Sequence, residues 1–158
     1  MTRGRWCMAN EPRHEQRKET HDDNEDENGK MRAMLNVGKN GPVLTLSDEN
    51  EKARVGLCAV KDGPVLILFD EKDKIGAMLE VSKDGPYLSL YDENSKSRAV
   101  LEVRKDGPHL DLLDEKGTSR ATLGRTQTET PDGKVVTYPE SSLTLFGPDG
   151  KVIFQAPK

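Results

Sequence analysis

One four-residue phrase recurs along the chain at a constant interval and constrains the fold more than any other feature. Lys-Asn-Gly-Pro at 39–42 is followed by Lys-Asp-Gly-Pro at 61–64, 83–86 and 105–108, so successive copies are 22 residues apart. An Asp-Glu pair keeps the same interval, beginning at positions 48, 70, 92 and 114. Two turn signals in each repeat leave room for two short strands. Each repeat is therefore predicted to be a β-hairpin, and the repeats must stack because one hairpin is marginal alone.

The repeat at 98–119 shows how the residues specify this unit. Ala99, Leu101 and Val103 alternate with other side chains, which is the period of a strand. Asp-Gly between two alternating segments is a strong hairpin signal, and the proline after it begins the next strand. Asp114 then opens a second turn, since an aspartate can accept hydrogen bonds from backbone N–H groups two residues on. Loops this short favour antiparallel neighbours.

Alignment of the repeats places leucine, alanine or valine in fixed columns on one face of every strand. This face is predicted to be the core, since burying a leucine is worth about 1.5–3 kcal/mol. The leucine columns are Leu35, Leu57, Leu79, Leu101 and Leu123; Leu44, Leu66, Leu88 and Leu110; and Leu46, Leu68, Leu90 and Leu112. The last unit carries extra residues around Pro131–Lys134, which predicts a longer hairpin and then a final strand whose Phe154 enters the core.

The predicted fold class is all-β, an antiparallel meander of hairpin repeats. Closure as a barrel, a toroid or a trefoil-like array is favoured because one leucine face must be covered and no helix is available to cover it. An open hairpin solenoid and an intertwined trimeric prism also fit. The predicted domains are a polar tail at 1–25 and a repeat domain at 26–158, with units near 32–53, 54–75, 76–97, 98–119 and 120–158.

Repeats of the form Gly-Pro-x-Leu-x-Leu-x-Asp-x-x-Gly-Lys-x-Arg-Ala cover about residues 26–157. In this respect the chain resembles uncharacterised bacterial proteins built from hairpin repeats of this length. The resemblance implies a style of fold and no activity. The spacing is also similar to that of MORN and choline-binding repeats, but those have aromatic residues in every unit, whereas here the one tryptophan is Trp6.

Composition limits the location and the partners. The net charge of −4 provides no basic field for nucleic acid or anionic lipid. The longest apolar run, 65–69, is too short to span a membrane, and the first residues lack the pattern of a secretory signal. Cys7 and Cys58 are too few for a disulfide framework or a paired-cysteine metal site, so a reducing, cytoplasmic location is expected.

Two places depart from the regular pattern and are candidates for binding a partner. The tail is polar from 11 to 26 and is expected to be disordered alone, although Trp6 and Met8 could anchor it on a partner. The second repeat is apolar on its outward face as well, and the third has tyrosines there. This patch is expected to contact another protein or a second copy, to be covered within the chain, or to bind a small ligand. Its residues are Cys58, Val60, Val65, Ile67, Phe69, Tyr87 and Tyr91.

No pattern for chemistry is convincing. His109 and Asp111 share one side of a strand, but no nucleophile in a recognisable turn accompanies them, so they are interpreted as solvated surface residues. The acidic turns lack calcium-loop spacing and each contains a lysine. No catalytic residue, metal ligand or cofactor is predicted, and the chain is not expected to be an enzyme.

The function predicted from the sequence is therefore that of a non-catalytic structural or interaction protein. It would serve as an accessory subunit or oligomeric scaffold and act through the apolar outward patch and the tail. The alternative is a carbohydrate- or anion-binding repeat module that uses the loop ends, with their recurring lysines, or the Tyr87 and Tyr91 surface.

Overall fold

A computed structural model describes residues 24–105, 107–129, 135–138 and 142–156. Within these ranges the chain forms strands and turns and no helix. The strands are β1 (Ala33–Gly38), β2 (Gly41–Ser47), β3 (Ala53–Val60), β4 (Gly63–Phe69), β5 (Ile75–Ser82), β6 (Gly85–Tyr91), β7 (Ser97–Arg104), β8 (Gly107–Leu113), β9 (Ser119–Gly124), β10 (Thr126–Glu129), β11 (Val135–Tyr138), β12 (Leu143–Phe146) and β13 (Val152–Ala156).

Eleven strands form one antiparallel sheet in the order β1-β2-β3-β4-β5-β6-β7-β8-β9-β12-β13. The predicted all-β hairpin meander is therefore confirmed. The sheet is open, because the described parts of β1 and β13 at its two ends are not hydrogen-bonded to each other. The structure thus lacks the closed barrel, toroid or trefoil that was favoured above. A need to cover the leucine face predicts closure, but that face is not covered in the described structure.

The Lys-Asp-Gly-Pro turns differ in one detail from the prediction. Val60 pairs with Gly63, so Lys61 and Asp62 form the two-residue loop and the glycine already belongs to the next strand. Neither loop residue has a positive φ, whereas Gly63 has a φ of 131°. A Cβ on Gly63 would overlap the carbonyl oxygen of Val81 on the neighbouring strand. The glycine is therefore needed for close approach of two backbones and not for the centre of the turn.

The Asp-Glu turns close a three-residue loop. In the turn that begins at Asp48, the Glu51 N–H donates to the Asp48 carbonyl, and the Asp48 N–H donates to the Lys52 carbonyl. Glu51 has a φ of 62°, in the left-handed region that follows a type I turn in hairpins of this length. Gly29 and Gly117 have positive φ at the same place in their turns, with values of 72° and 78°. The two kinds of turn thus fix opposite edges of the sheet.

Strand register places the leucines in one continuous row across the sheet. Each leucine lies opposite the next, as Leu57 does with Leu66 and Leu66 with Leu79. The row contains Leu35, Leu44, Leu57, Leu66, Leu79, Leu88, Leu101, Leu110, Leu123 and Leu143. This register follows from the equal lengths of the repeats, because a slip of one residue would move every leucine to the other face.

Burial reverses the predicted assignment of the two faces. Leu79 and Leu101 in the predicted core are 43% and 47% exposed, and Phe154 is 49% exposed. On the opposite face Ile67 is 1% exposed and Ser89 is fully buried. The prediction that the leucine columns form the core is therefore wrong for this chain.

The last unit follows a different course from the others. β9 pairs with β12, while β10 pairs with β11 as a separate two-stranded sheet. Gly124 has a φ of 111° at the junction, and Ser142 donates its hydroxyl to the Gly124 carbonyl at 2.7 Å. The extra residues of the last unit thus add a hairpin beyond the main sheet, where the sequence predicts a longer hairpin. Its tip at 130–134 lies outside the described residues.

Candidate functional site

The largest unusual surface is the face that carries the leucine row, here called the leucine face. It consists of three rows of side chains, and its members in the described strands are all apolar. Ala77, Leu79 and Val81 are its residues on β5, and Pro86, Leu88 and Leu90 are those on β6. The strict alternation within each strand produces this composition, since positions two apart lie on the same side.

The leucine face is exposed over its whole width in the described structure. Leu35 near one end of the sheet is 60% exposed, Leu79 in the middle is 43% exposed, and Leu123 near the other end is 50% exposed. Eleven strands about 4.8 Å apart and three rows about 7 Å apart give the face an area of about 1,000 Å². The largest apolar patch on a typical monomer is about 300–600 Å². The leucine face therefore exceeds what a soluble monomer normally leaves uncovered.

Charged side chains lie in the turns at the two ends of the strands. The Asp-Glu turns form one of these two edges of the sheet. In one such turn the Asp92 Oδ1 accepts the N–H groups of Asn94 and Lys96 at 2.8 Å and 3.0 Å. Its Oδ2 accepts the Arg98 Nε at 2.8 Å. The Lys96 N–H, with the further hydrogen bonds and the guanidinium charge, holds the pKa of Asp92 below its usual range against the opposing effect of desolvation.

The same turns are linked from repeat to repeat. Arg54 binds Asp48 in its own turn and donates to the Asp70 carbonyl in the next. Lysine Nζ groups add a second link, as Lys96 does with the Glu115 carbonyl at 2.9 Å. The arginines of this ladder are Arg32, Arg54, Arg98 and Arg120, and Gly76 stands where the remaining repeat would have one. These contacts give the charged residues of the turns a structural role, because they hold neighbouring turns together along this edge of the sheet.

The residues predicted to bind a partner lie on the opposite, buried face, here called the mixed face. Cys58 and Ile67 are buried, and Val60, Val65 and Phe69 are half-buried. The patch is thus not open at its centre. Cys58 is disulfide-bonded, in contrast to the reduced cysteines expected above. Trp6 and Met8 lie outside the described residues.

The two tyrosines of the prediction lie on β6 and are half-buried on the mixed face. Burial raises the pKa of the Tyr91 hydroxyl above its usual value, although a hydrogen bond with Ser89 opposes this change. Tyr87 lines a groove of about 430 Å³ beside the Lys-Asp-Gly-Pro turns. Glu102 and Arg104 also line the groove and form an ion pair with each other. Tyr87 gives the groove an aromatic side, but the Glu102 carboxylate and the Arg104 guanidinium are already paired with each other.

His109 and Asp111 do not form a pair, although they lie on the same side of β8. The Asp111 carboxylate accepts hydrogen bonds from Ser119 at 2.6 Å and from Thr122 at 3.1 Å. His109 Nδ1 lies 3.1 Å from the Arg125 carbonyl oxygen. Both side chains thus bind neighbours across the strands. Serine and threonine partners account for the aspartate, which is half-buried and not a solvated surface residue as predicted.

Other kinds of site were sought in the described ranges. No group of three or more histidine, cysteine, aspartate or glutamate side chains there is placed to hold a metal ion. Among the same residues no helix has the length and apolarity needed to cross a bilayer. A scan against protein-family models finds no match to this chain, and a search of curated proteins finds none either.

Sequence reasoning missed the exposed surface, although the signal was present. The columns of leucine are visible in the sequence, but the usual burial of apolar side chains predicts that they form the core. The described part of the chain has no second layer of apolar strands or helices that could cover this face. Counting the elements available on each side would have identified the leucine face as the surface without a partner.

Proposed function

We propose that this protein is a non-catalytic interaction protein, an accessory subunit or oligomeric scaffold, whose contact surface is the leucine face. The observation that carries the proposal is that a regular apolar face of about 1,000 Å² remains about half exposed across eleven strands. Sheets normally bury one face against another layer, and large apolar patches rimmed by charge mark interaction sites. The surface predicted from sequence, around Cys58 and Ile67, is replaced in this proposal because its centre is buried.

The edge contacts support the proposal by explaining how such a surface can be held in shape. Each Asp-Arg turn is linked to the next by hydrogen bonds, as from Arg54 to the Asp70 carbonyl, so the strands keep their spacing without a second layer behind the leucines. A preformed apolar face loses less conformational entropy on binding than a flexible one. The proposed role for the tail around Trp6 and Met8 remains a prediction.

The test is capture of binding partners by the full chain with the leucine face intact or charged. Leu79→Glu with Leu101→Glu places two carboxylates in the middle of the leucine row. The expected result is loss of the proteins captured by the wild type, because burying an unpaired carboxylate is costly. Asn50→Glu with Asn94→Glu adds the same charge at exposed turn positions and should leave capture unchanged. Equal capture by all three proteins would refute the proposal.

The second candidate function is binding of a carbohydrate or an anion at the Tyr87 groove. Its volume of about 430 Å³ lies in the range of small-molecule sites, and Lys105 and Arg104 are at its rim. It ranks second because Arg104 is paired with Glu102. Binding on a glycan array that is lost in Tyr87→Ala, with Tyr138→Ala as the control, would favour this function.

A further inference from the structure

We infer that the molecule that covers the leucine face is a second copy of this chain, so that two copies pack face to face as a β-sandwich. The inference rests on the proposed function and names its partner. Two sheets packed in this way lie about 10 Å apart, and their inner side chains interdigitate. The leucines would then form an apolar core between the two chains, although they do not form the core of a single chain.

The chain has too few remaining apolar residues to cover the leucine face itself. The ranges outside the described structure contain only four large apolar or sulfur-bearing side chains, Met1, Trp6, Cys7 and Met8. The β10–β11 hairpin adds mainly threonine, glutamine, glutamate and valine. The leucine row alone contains ten leucines. The residues of this sequence outside the described ranges are thus too few to cover the face, which favours cover by another molecule.

The area of the face suits a pair of identical chains. A stable interface buries about 800 Å² on each partner, and the leucine face offers about 1,000 Å². Twist between strands keeps the outermost ends of two long sheets from full contact, so the interface would extend from the central strands β4–β8 over most of the face. Leu66, Leu79, Leu88 and Leu101 in these strands form an uninterrupted part of the row.

The chemistry of the face also favours a second copy over a lipid surface. In a two-fold dimer the same patch meets itself, so it must be free of charges that would oppose one another. The leucine face meets this condition, because charges such as Lys83 and Asp92 lie in the turns at its edges. An anionic membrane surface would repel this chain, which has a net charge of −4.

The deciding measurement is the mass of the full chain in solution over a range of concentrations, by sedimentation or light scattering. The wild type is expected to have twice the chain mass of 17.6 kDa. Leu79→Glu with Leu101→Glu is expected to weaken association at least 100-fold and to give the single-chain mass. Asn50→Glu with Asn94→Glu is the control and should remain a dimer. Circular dichroism of each protein establishes that the strands are retained.

Each other outcome overturns the inference. A wild type that has the single-chain mass at every concentration has no second copy on its leucine face, whatever the variants do. A mass that rises without a plateau indicates open-ended assembly and not a closed pair. A variant that dimerises as well as the wild type places the interface elsewhere. Co-expression of two differently tagged copies gives an independent check, since each tag should recover the other copy.

The inference and the proposed function can fail separately. A monomeric wild type that captures a different protein only when its leucine face is intact would end the self-association and leave the proposed function standing. A dimer that survives the glutamate substitutions, with capture also unchanged, would end both. Association of the wild type with anionic or neutral vesicles, lost in the glutamate variant, would identify lipid as the occupant in place of a second copy.

Discussion

Two backbone positions in the hairpins restrict the choice of residue, for different reasons. Gly63 and Gly85 are required because a Cβ there would overlap a carbonyl oxygen of the neighbouring strand. The fourth residue of each Asp-Glu turn requires only a positive φ, and three repeats place Glu51, Asp73 or Ser95 there with φ values of 62°, 61° and 58°. The position of Gly63 and Gly85 excludes any side chain, whereas the fourth position of the Asp-Glu turn accepts one at a cost of about 1–2 kcal/mol.

Glycine at position 51 should therefore stabilise the protein. Glu51→Gly removes the left-handed strain of a residue with a Cβ, and part of this gain is lost to the greater freedom of glycine in the unfolded chain. We expect an increase of about 0.5–1 kcal/mol in the free energy of unfolding, measured from urea denaturation at a fixed protein concentration. Asn50→Gly, one residue earlier where φ is not positive, is the control. A lower midpoint for Glu51→Gly would contradict this account.

The element that recurs with the least change is the Asp-Glu turn with its arginine. One repeat lacks the arginine, and this repeat shows what the arginine contributes. Asp70 accepts the N–H groups of Lys74 and Lys72, each at 2.8 Å, but Gly76 stands where the other repeats have an arginine. Hydrogen bonding from Lys74 first, and then from Lys72 with the charges of both lysines, lowers the pKa of Asp70 against desolvation. The turn thus forms without the arginine, which adds a link to the following repeat.

Gly76→Arg should restore the missing link and stabilise the chain. A Cβ at Gly76 meets only the Leu68 carbonyl oxygen at 3.8 Å, so the side chain fits. We expect the lower backbone entropy of the unfolded state to contribute about 0.4–1 kcal/mol, and the exposed ion pair with Asp70 to add a smaller increment. Gly76→Ala isolates the backbone part, and urea denaturation measures both variants.

The ion-pair part of this gain should depend on pH in a defined direction. Because the pKa of Asp70 is lowered in the folded state, the stability that its carboxylate provides is present above the unfolded pKa and is lost as pH falls through the folded value. The difference between Gly76→Arg and Gly76→Ala should therefore shrink as the pH falls below the ordinary aspartate pKa of about 4. A difference that is constant from about pH 7 to about pH 2 would show that the introduced guanidinium does not bind Asp70.

At the scale of the whole molecule, the contacts within the described sheet are made between neighbouring strands. The order of the sheet follows the chain from β1 to β9 without a crossover, and β4–β5 has the same leucine register as β6–β7. Stability in such arrays is approximately a sum of repeat and interface contributions. Removal of one complete repeat should therefore shorten the sheet without changing its topology.

Deletion of residues 76–97 tests this description. It joins Ile75 to Arg98, so that Leu66 would pair with Leu101 in the register it now has with Leu79. We expect a folded β-protein with a lower free energy of unfolding and a urea m-value smaller by about one seventh, in proportion to the chain removed. Circular dichroism and urea denaturation provide the readout. An unfolded product would show that the sheet depends on contacts between distant repeats, as a closed barrel does.

The repeat length, the strand positions and the antiparallel pairing were all predictable from the sequence, because they depend on local chemistry. Gly-Pro and Asp-Glu pairs mark the turns, and alternation between them specifies strands with two distinct faces. The exception was the centre of the Lys-Asp-Gly-Pro turn. The local pattern shows that a glycine is needed near position 63, but not that the Val81 carbonyl on another strand is the reason.

The tertiary structure decided which face is buried and whether the sheet closes. The alternation of side chains along a strand places Leu79 and Met78 on opposite faces of the sheet. It does not determine which face becomes the interior, since that depends on how the whole sheet curls and on what lies against it. Leu79 and the leucines of its row on β1, β3, β7, β9 and β12 are exposed, and those on the strands between them are half-buried. On the other side Ile67 and Ser89 are buried. The 22-residue period thus determined a regular leucine face, and only the assembled sheet showed that this face is left uncovered by the described residues.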